Sequence, residues 1–181
     1  RFPTRAAALA EQPGLHRLGL SPGPSGGLAF AVTIFEGVTM YRVTLGETVV
    51  LTENPIRVEP IDGRVTIEGQ QYRGIADVRL NGLGTLAGTN QLPIEEYLKG
   101  VVPRELGPIA FPYLEALKAQ AVAARTYAIA NIGKRRNHAY DLLPTPLHQV
   151  YGGLVAEHPL SSQAVDETAG IVAVYDGRLI S

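Results

Sequence analysis

The chain has 181 residues, of which 45% are hydrophobic and 18% are charged, and it carries a formal net charge of −1 and no cysteine. This size and composition predict one globular domain, with at most a small annex, that can bury a hydrophobic core. The near-zero charge gives no general attraction to nucleic acid or anionic lipid. The absence of cysteine excludes disulfides, thiolate metal ligands and a cysteine nucleophile. No apolar run approaches the about 20 residues that a membrane-spanning helix needs, so no transmembrane segment is predicted.

Residues 1–27 are predicted to be an N-terminal arm, in which a weak helix over 5–12 leads into a linker over 21–27 that is rich in proline and glycine. Such a linker can hold neither a helix nor a central strand. Residues 28–89 have the short strand-like runs and glycine-containing turns of a β-rich part. The Asp62-Gly63 pair predicts a hairpin there, and strands are expected over 29–35, 39–45, 48–51, 57–59, 64–68, 72–79 and 84–87.

Residues 90–181 have helical character, and a first helix is expected from Pro93, with an acidic first turn that the helix dipole favours. A second, alanine-rich helix is expected over 112–131, and a short helix over 161–168 precedes a hairpin over 171–180. The close-packing stripe of the alanine-rich helix is predicted to consist of Ala116, Leu117, Ala121, Ala124 and Ala128. The predicted fold class is therefore α+β: a β-rich N-terminal half, with an alanine-rich helix and short helices flanking a substrate cleft.

Glu105 is the first candidate for a catalytic residue. Apolar residues and Pro103 precede it, and they are expected to bring the chain to the base of a surface groove. A carboxyl group partly desolvated there is suited to protonating a glycosidic oxygen. A glutamate at a helix end is more often a solvated or capping residue, so the pattern alone does not decide between these roles.

Four large polar side chains on the alanine-rich helix are candidates for substrate binding. Lys118 and Arg125 share one face of this helix, and so do Gln120 and Tyr127. Because the alanines are expected to supply the packing, Arg125 is expected to point into the cleft near Glu105, so that its removal should damage function more than stability. The alternative is a stripe of salt-bridged side chains on the surface.

Asp141, Gln149 and Tyr151 are further candidates for substrate binding, because an aromatic face covers the C–H surface of a sugar while amides and carboxylates bind its hydroxyls. Structural roles in turns and hairpins would explain these three residues about as well. The four histidines lack the spacing of a zinc site, so no metal is predicted. No phosphate-binding loop or Gly-x-Ser-x-Gly motif is present, and no cofactor is predicted.

Several motifs in the second half closely resemble the stage II sporulation protein D / LytB amidase-enhancer (SpoIID/LytB) family. The long central motif is the most specific of them, and the resemblance extends over residues 63–180. Residues 28–181 are therefore assigned to one SpoIID/LytB-like domain. Its β-rich part is 28–89, and its helical and cleft part is 90–181. The motifs are Leu-Pro-Ile-Glu-Glu-Tyr-Leu-Lys-Gly-Val-Val-Pro-x-Glu ending at Glu105, Glu-Ala-Leu-Lys-Ala-Gln-Ala-Val-Ala-Ala-Arg-Thr-Tyr ending at Tyr127, Tyr140-Asp141, Gln149-Val-Tyr-x-Gly153 and Ala164-Val-x-x-Thr-x-Gly170.

The resemblance implies a bacterial protein that acts on peptidoglycan outside the cytoplasm, either exported or tethered to a membrane. Members of the sporulation branch look like lytic transglycosylases that cut glycan strands stripped of stem peptides, whereas the LytB branch is described as enhancing a separate amidase. Carried over to this sequence, the family's catalytic glutamate is Glu105, acting first as acid and then as base, and Arg125 and Lys118 border the cleft. Three interpretations therefore stay open: a lytic transglycosylase, a non-catalytic wall-binding enhancer of a partner amidase, or a structural domain associated with the cell wall.

The sequence departs from the family pattern in three places. The segment over 107–113 looks about two residues longer than usual, which could shift the rim of the cleft. Some members bind zinc just before the Gln-x-Tyr element, but the corresponding positions here are Leu143, Leu147 and His148, so zinc is not expected. The family continues past the hairpin into a glycine-rich segment, and the chain is therefore expected to lack the C-terminal part of the domain.

Overall fold

A computed structural model describes residues 17–21, 28–35, 38–45, 47–60, 62–67 and 69–180. The helix expected over 5–12 and most of the linker expected over 21–27 lie outside these residues. The fold is α+β with a β-rich N-terminal half, as predicted. The described strands are β1 (Arg17–Ser21), β2 (Leu28–Phe35), β3 (Val38–Leu45), β4 (Thr48–Thr52), β5 (Ile56–Val58), β6 (Arg64–Ile67), β7 (Gln70–Arg73), β8 (Ile75–Leu80), β9 (Leu86–Gln91), β10 (Val174–Tyr175) and β11 (Arg178–Leu179), and the helices are α1 (Ile94–Glu105), α2 (Leu114–Asn131) and α3 (Pro159–Glu167).

The chain divides into two compact units. The first comprises the described residues up to Gln70 together with Gly74–Gln91, and the second comprises Gln71–Arg73 and the residues from Leu92 onward. The strands form a six-stranded sheet of order β4-β3-β2-β1-β6-β7, a three-stranded sheet of order β5-β8-β9 and the small β10-β11 pair.

The β-rich unit is built from antiparallel pairs with a regular register. Strands β2 and β3 pair from Leu28 opposite Leu45 to Phe35 opposite Val38. Strands β8 and β9 are joined by a turn in which the Asn81 side-chain oxygen accepts hydrogen bonds from two backbone N–H groups, an arrangement that asparagine favours. Among the residues of this unit whose burial is described, the buried hydrophobic ones are Met40, Tyr41, Val58, Val65, Ala76 and Val78.

Three details of the β-rich unit differ from the sequence prediction. Strand β1 lies within the predicted arm, where no strand was expected. The strand expected over 72–79 is divided at Gly74, whose φ of 82° is readily adopted by glycine alone. The hairpin expected at Asp62-Gly63 is wrong, because β5 pairs with β8 while β6 pairs with β1. The dipeptide does make a turn, since Gly63 has a φ of 70°, but the strands on either side belong to different sheets.

Helix α1 begins after Pro93 and carries Glu95 and Glu96 in its first turn, as predicted. Pro103 lies within its last turn, where the missing N–H group removes one hydrogen bond, yet the helix continues to Glu105. Leu98, Val101 and Val102, which are completely buried, face α2 and α3 in one hydrophobic cluster.

Helix α2 has 18 residues, and its buried face includes Leu117, Ala121, Ala124 and Ala128, as the alanine stripe predicts. Ala116, which was assigned to the same stripe, is exposed. Helix α3 begins with Pro159 at a position that tolerates the missing N–H group, and the His158 side chain accepts a hydrogen bond from the Leu160 N–H group. Short side chains on α2 allow α1 and α3 to pack closely against it.

Candidate functional site

Glu105 is the last residue of α1, and its side chain is exposed. The backbone N–H group of Val150 donates a hydrogen bond of 2.7 Å to its Oε1 atom. One carboxyl oxygen is therefore oriented by the protein, while the side chain remains accessible to a ligand. The sequence analysis expected Glu105 to be partly buried, and this expectation is wrong.

The segment Gln149–Gly153, here called the 149–153 segment, runs beside Glu105. Its first side chain, Gln149, is only 5% exposed. The Gln149 Nε2 group donates to the Ala124 carbonyl oxygen at 3.1 Å, and its Oε1 atom accepts from the Tyr97 hydroxyl group at 3.2 Å. Gln149 was predicted to bind substrate, but the structure uses both ends of its amide to connect the segment to α2 and α1.

The middle of the 149–153 segment packs on α1 through Tyr151. The ring of Tyr151 lies 4.9 Å from the Tyr97 ring and 5.6 Å from the Tyr72 ring, measured between centroids. A Cβ atom at Gly100 would come within 2.6 Å of the Tyr151 ring, so only glycine allows this approach. The Gly152 N–H group also donates to the Gly100 carbonyl oxygen at 3.1 Å. Glycine in the central motif thus fixes the segment that orients Glu105.

Tyr97 is a site residue that the sequence analysis missed. Burial raises the pKa of its hydroxyl group, and the charge of Glu105 and the hydroxyl of Tyr127 raise that pKa further. Tyr97 therefore stays protonated and serves as the donor to Gln149. The signal was present in the sequence, because Tyr97 lies eight residues before Glu105 in the same motif, but its partner is 52 residues away along the chain.

Arg125 does not point into a cleft as the sequence analysis expected. Its side chain is buried, and its Nε and Nη2 atoms lie 2.9 and 2.6 Å from the two carboxylate oxygens of Glu95. Its guanidinium group also donates to the carbonyl oxygens of Val165 and Ile171. The physical reason is helical geometry: Arg125 follows Ala121 by four residues, so it shares the buried face that the alanines were predicted to form.

Lys118 was expected to bind substrate, but its side chain forms ion pairs within the protein. Its Nζ atom is 2.8 Å from Glu115 and 2.7 Å from Glu167, so it connects the side chains of α2 and α3. Among the described residues, the charge partners found for Lys118 and Arg125 are these glutamates and Glu95, rather than Glu105. The interpretation as salt-bridged side chains describes Lys118 correctly.

The remaining predicted residues occupy different surroundings. Tyr127 is half-buried on α2, and its hydroxyl group contributes to the raised pKa of Tyr97. Gln120 is half-buried on the same helix. Asp141 is exposed, and its Oδ1 atom accepts a hydrogen bond of 2.7 Å from the Gly133 N–H group. The structure therefore places the 149–153 segment, which contains Gln149 and Tyr151, beside Glu105, and Asp141 accepts a hydrogen bond from the residues that follow α2.

A second set of charged side chains forms ion pairs with the N-terminal half of α1. Arg73 makes two hydrogen bonds of 2.6 and 2.8 Å with the Glu157 carboxylate, and its Nε atom lies 3.1 Å from Glu96. Lys99 lies 3.2 Å from both Glu96 and Asp166. Burial alone would lower the pKa of Lys99, but its hydrogen bonds to the two carboxylates outweigh that effect and raise the pKa.

Within the described part of the chain, no three histidine, aspartate or glutamate side chains are grouped so that they could hold a metal ion. The helices described here also include none that is long and apolar enough to cross a membrane.

Comparison with known proteins identifies similar sequences. The family model SpoIID, described as stage II sporulation protein, matches residues 83–175 of the chain. An uncharacterized protein of Brachyspira hyodysenteriae is 38% identical in an alignment of 148 positions that covers 75% of this chain and 40% of that protein. The amidase enhancer of Bacillus subtilis is 36% identical in an alignment of 133 positions that covers 71% of this chain and 18% of that protein. The matched part is thus less than half of either relative, and no solved structure matches the chain significantly.

Proposed function

Because the chain belongs to the SpoIID family of stage II sporulation proteins, we propose that it is a lytic transglycosylase that cleaves the MurNAc–GlcNAc glycan strands of peptidoglycan. Glu105 is its single acid/base residue. The observation that carries this proposal is the hydrogen bond from the Val150 N–H group to Glu105 Oε1. It orients one oxygen of an accessible carboxyl group and leaves the other oxygen to hold the transferred proton.

The reaction needs one acid/base residue for two proton transfers. The Glu105 carboxyl group gives its proton to the oxygen that bridges N-acetylmuramic acid and N-acetylglucosamine, and the bond from C1 to that oxygen breaks. The C6 hydroxyl oxygen of the same muramic acid bonds to C1 of the oxocarbenium-like centre, and its proton passes to the Glu105 carboxylate. The product has a 1,6-anhydro end. A second carboxylate is unnecessary because no water has to be activated on the opposite face of the sugar.

The neighbouring side chains supply the surroundings that a sugar polymer requires. Tyr127 is a half-buried aromatic residue on α2, and aromatic faces cover the C–H surfaces of sugars. Gln120 is half-buried on the same helix, and its amide can both donate to and accept from hydroxyl groups. Both are proposed to contact the glycan. Arg125, Lys118 and Gln149 are instead proposed to support the site, because their polar groups are bonded within the protein.

The location and partners follow from this substrate. Peptidoglycan lies outside the cytoplasmic membrane, so the proposed location is extracytoplasmic. The glycan strand is the principal partner.

A direct test is to incubate the purified chain with glycan strands freed of stem peptides and to measure products by mass spectrometry. We expect wild type to form anhydro-ended fragments and Glu105→Gln to form none while unfolding at the wild-type temperature. Glu53→Gln is the matched control, since Glu53 is exposed beyond β4, and it should keep wild-type activity. Equal product formation by Glu105→Gln and wild type would contradict the proposal.

A second candidate function is suggested by the relative named amidase enhancer. In this case the chain would bind the cell wall and stimulate a partner amidase without cleaving glycan itself. The two functions separate in a single assay series. If amidase stimulation persists in Glu105→Gln while no glycan product forms with wild type, the chain is an enhancer.

A further inference from the structure

We propose that Tyr97 and Gln149 are positioning residues for Glu105, holding the 149–153 segment so that the Val150 N–H group orients the carboxyl group. The catalytic consequence of this proposal rests on the proposed function. Its structural part concerns one hydrogen bond and can be measured in a protein that shows no activity.

Gln149 attaches the 149–153 segment to two helices. Its side chain is 5% exposed, and its amide donates to the Ala124 carbonyl oxygen on α2 while accepting from the Tyr97 hydroxyl group on α1. Val150 is the next residue, and its N–H group donates to Glu105. The Gln149 side chain therefore connects the residue next to Val150 to both helices.

The Tyr97 hydroxyl group connects this segment to α1. Tyr97 and Glu105 are on the same helix, so the bond to Gln149 connects the helix that carries the carboxyl group to the segment that orients it. Removing this hydroxyl group would leave the buried Gln149 Oε1 atom without its donor, and a buried unpaired oxygen is unfavourable. The segment would then shift to regain a partner, and the Val150 N–H group would move with it.

A positioning role for Gln149 differs from substrate binding and from simple packing. A side chain that is only 5% exposed, with both ends of its amide bonded to protein, has little surface to offer a glycan. A packing role alone would change stability without changing the bond at Glu105. The Val150 amide proton reports that bond directly, because its chemical shift follows the charge of the carboxyl group that accepts its hydrogen bond.

The experiment records the nuclear magnetic resonance signal of the Val150 amide proton through an acid titration of the whole isotope-labelled chain. In wild type the signal should shift as Glu105 is protonated, and in Glu105→Gln this shift should be absent. In Tyr97→Phe, which removes one oxygen atom, and in Gln149→Ala, the shift should fall to less than half of the wild-type amplitude. The control is Tyr113→Phe, since Tyr113 is 68% exposed, and it should keep the wild-type amplitude.

Activity provides the second readout. Loss of one positioning hydrogen bond should lower kcat of Tyr97→Phe about tenfold and leave KM near the wild-type value, because no substrate contact is removed. Wild-type amplitude of the Val150 shift in folded Tyr97→Phe would overturn the positioning role, whether or not the chain is active. Absence of glycan cleavage by wild type would contradict the proposed function alone. If Gln149→Ala does not fold, Tyr97→Phe decides.

Discussion

Arg125 of α2 and Glu95 of α1 form an ion pair with two hydrogen bonds, in which the arginine side chain is 1% exposed and the glutamate side chain 28%. The Gly170 N–H group donates to the same carboxylate at 3.2 Å. Because Arg125 also donates to carbonyl oxygens at 165 and 171, this pair connects α1 and α2 to the end of α3 and the residues beyond it. Its role is to hold α1, which carries Glu105, against α2 and α3.

Arg125→Met should therefore destabilise the fold. Removing one partner of a buried ion pair leaves the charge of the other partner uncompensated. We expect the free energy of unfolding to fall by about 3 kcal/mol. This is the low end of such effects, because Glu95 keeps some contact with water. Chemical denaturation measures this change. Lys118→Met is the control, since Lys118 is bonded at the surface, and its unfolding midpoint should stay near wild type. Equal midpoints for Arg125→Met and wild type would contradict the structural role.

The stability of the chain should depend on the charge of Glu95. Burial alone would raise the pKa of Glu95, but the hydrogen bonds from Arg125 and Gly170 and the charge of Arg125 outweigh burial and hold the pKa below its ordinary value of 4.5. A carboxyl group with a lowered pKa in the folded state stabilises the fold above its unfolded-state pKa, and this contribution is lost as pH falls through the folded-state pKa.

The measurement for Glu95 compares unfolding of wild type and Glu95→Gln from pH 7 downward. Wild type should be more stable at neutral pH, and the difference should shrink as pH falls below 4.5. A difference that stays constant over this range would show that the charge of Glu95 does not stabilise the fold.

Gly100→Ala tests the close approach of the 149–153 segment to α1. Alanine is the better helix former by about 1 kcal/mol, yet its Cβ atom would lie 2.6 Å from the Tyr151 ring and 3.1 Å from the Gly153 carbonyl oxygen. We expect a net destabilisation of about 1 to 3 kcal/mol from overpacking. Gly107→Ala is the control, because no atom lies within 4 Å of its added Cβ. Greater stability of Gly100→Ala than wild type would refute the contact.

Local patterns predicted the elements of this fold better than their partners. The alanine-rich helix and its buried face follow from a spacing of three and four residues, and the strands of the β-rich unit follow from short alternating runs. The turn at Asp62-Gly63 was also recognised, but its assignment to a hairpin failed because strand pairing is a long-range property. A dipeptide predicts a change of direction and not the sheet that each flanking strand joins.

The candidate site was only partly predicted, because local motifs do not show which residues meet over long distances along the chain. Glu105 and the 149–153 segment were recognised from motifs, whereas the pairing of Arg125 with Glu95 joins residues 30 positions apart. Glu95 was interpreted through the helix dipole alone, which is a local effect. The shared face of Arg125 and Ala121 was visible in the sequence, and it should have indicated a buried arginine that needs a carboxylate.

The origin of the oxygen in the new chain end tests the central claim most directly. Glycan strands freed of stem peptides are cleaved by the chain in water enriched in the heavy oxygen isotope, and the ends of the products are weighed by mass spectrometry. If Glu105 transfers a proton twice and the C6 hydroxyl group attacks C1, the muramic acid ends will be anhydro sugars without heavy oxygen. Newly formed reducing ends, in excess of those present in the strands at the start, would show that water attacks C1, and the account of Glu105 as the acid/base of a lytic transglycosylase would be wrong.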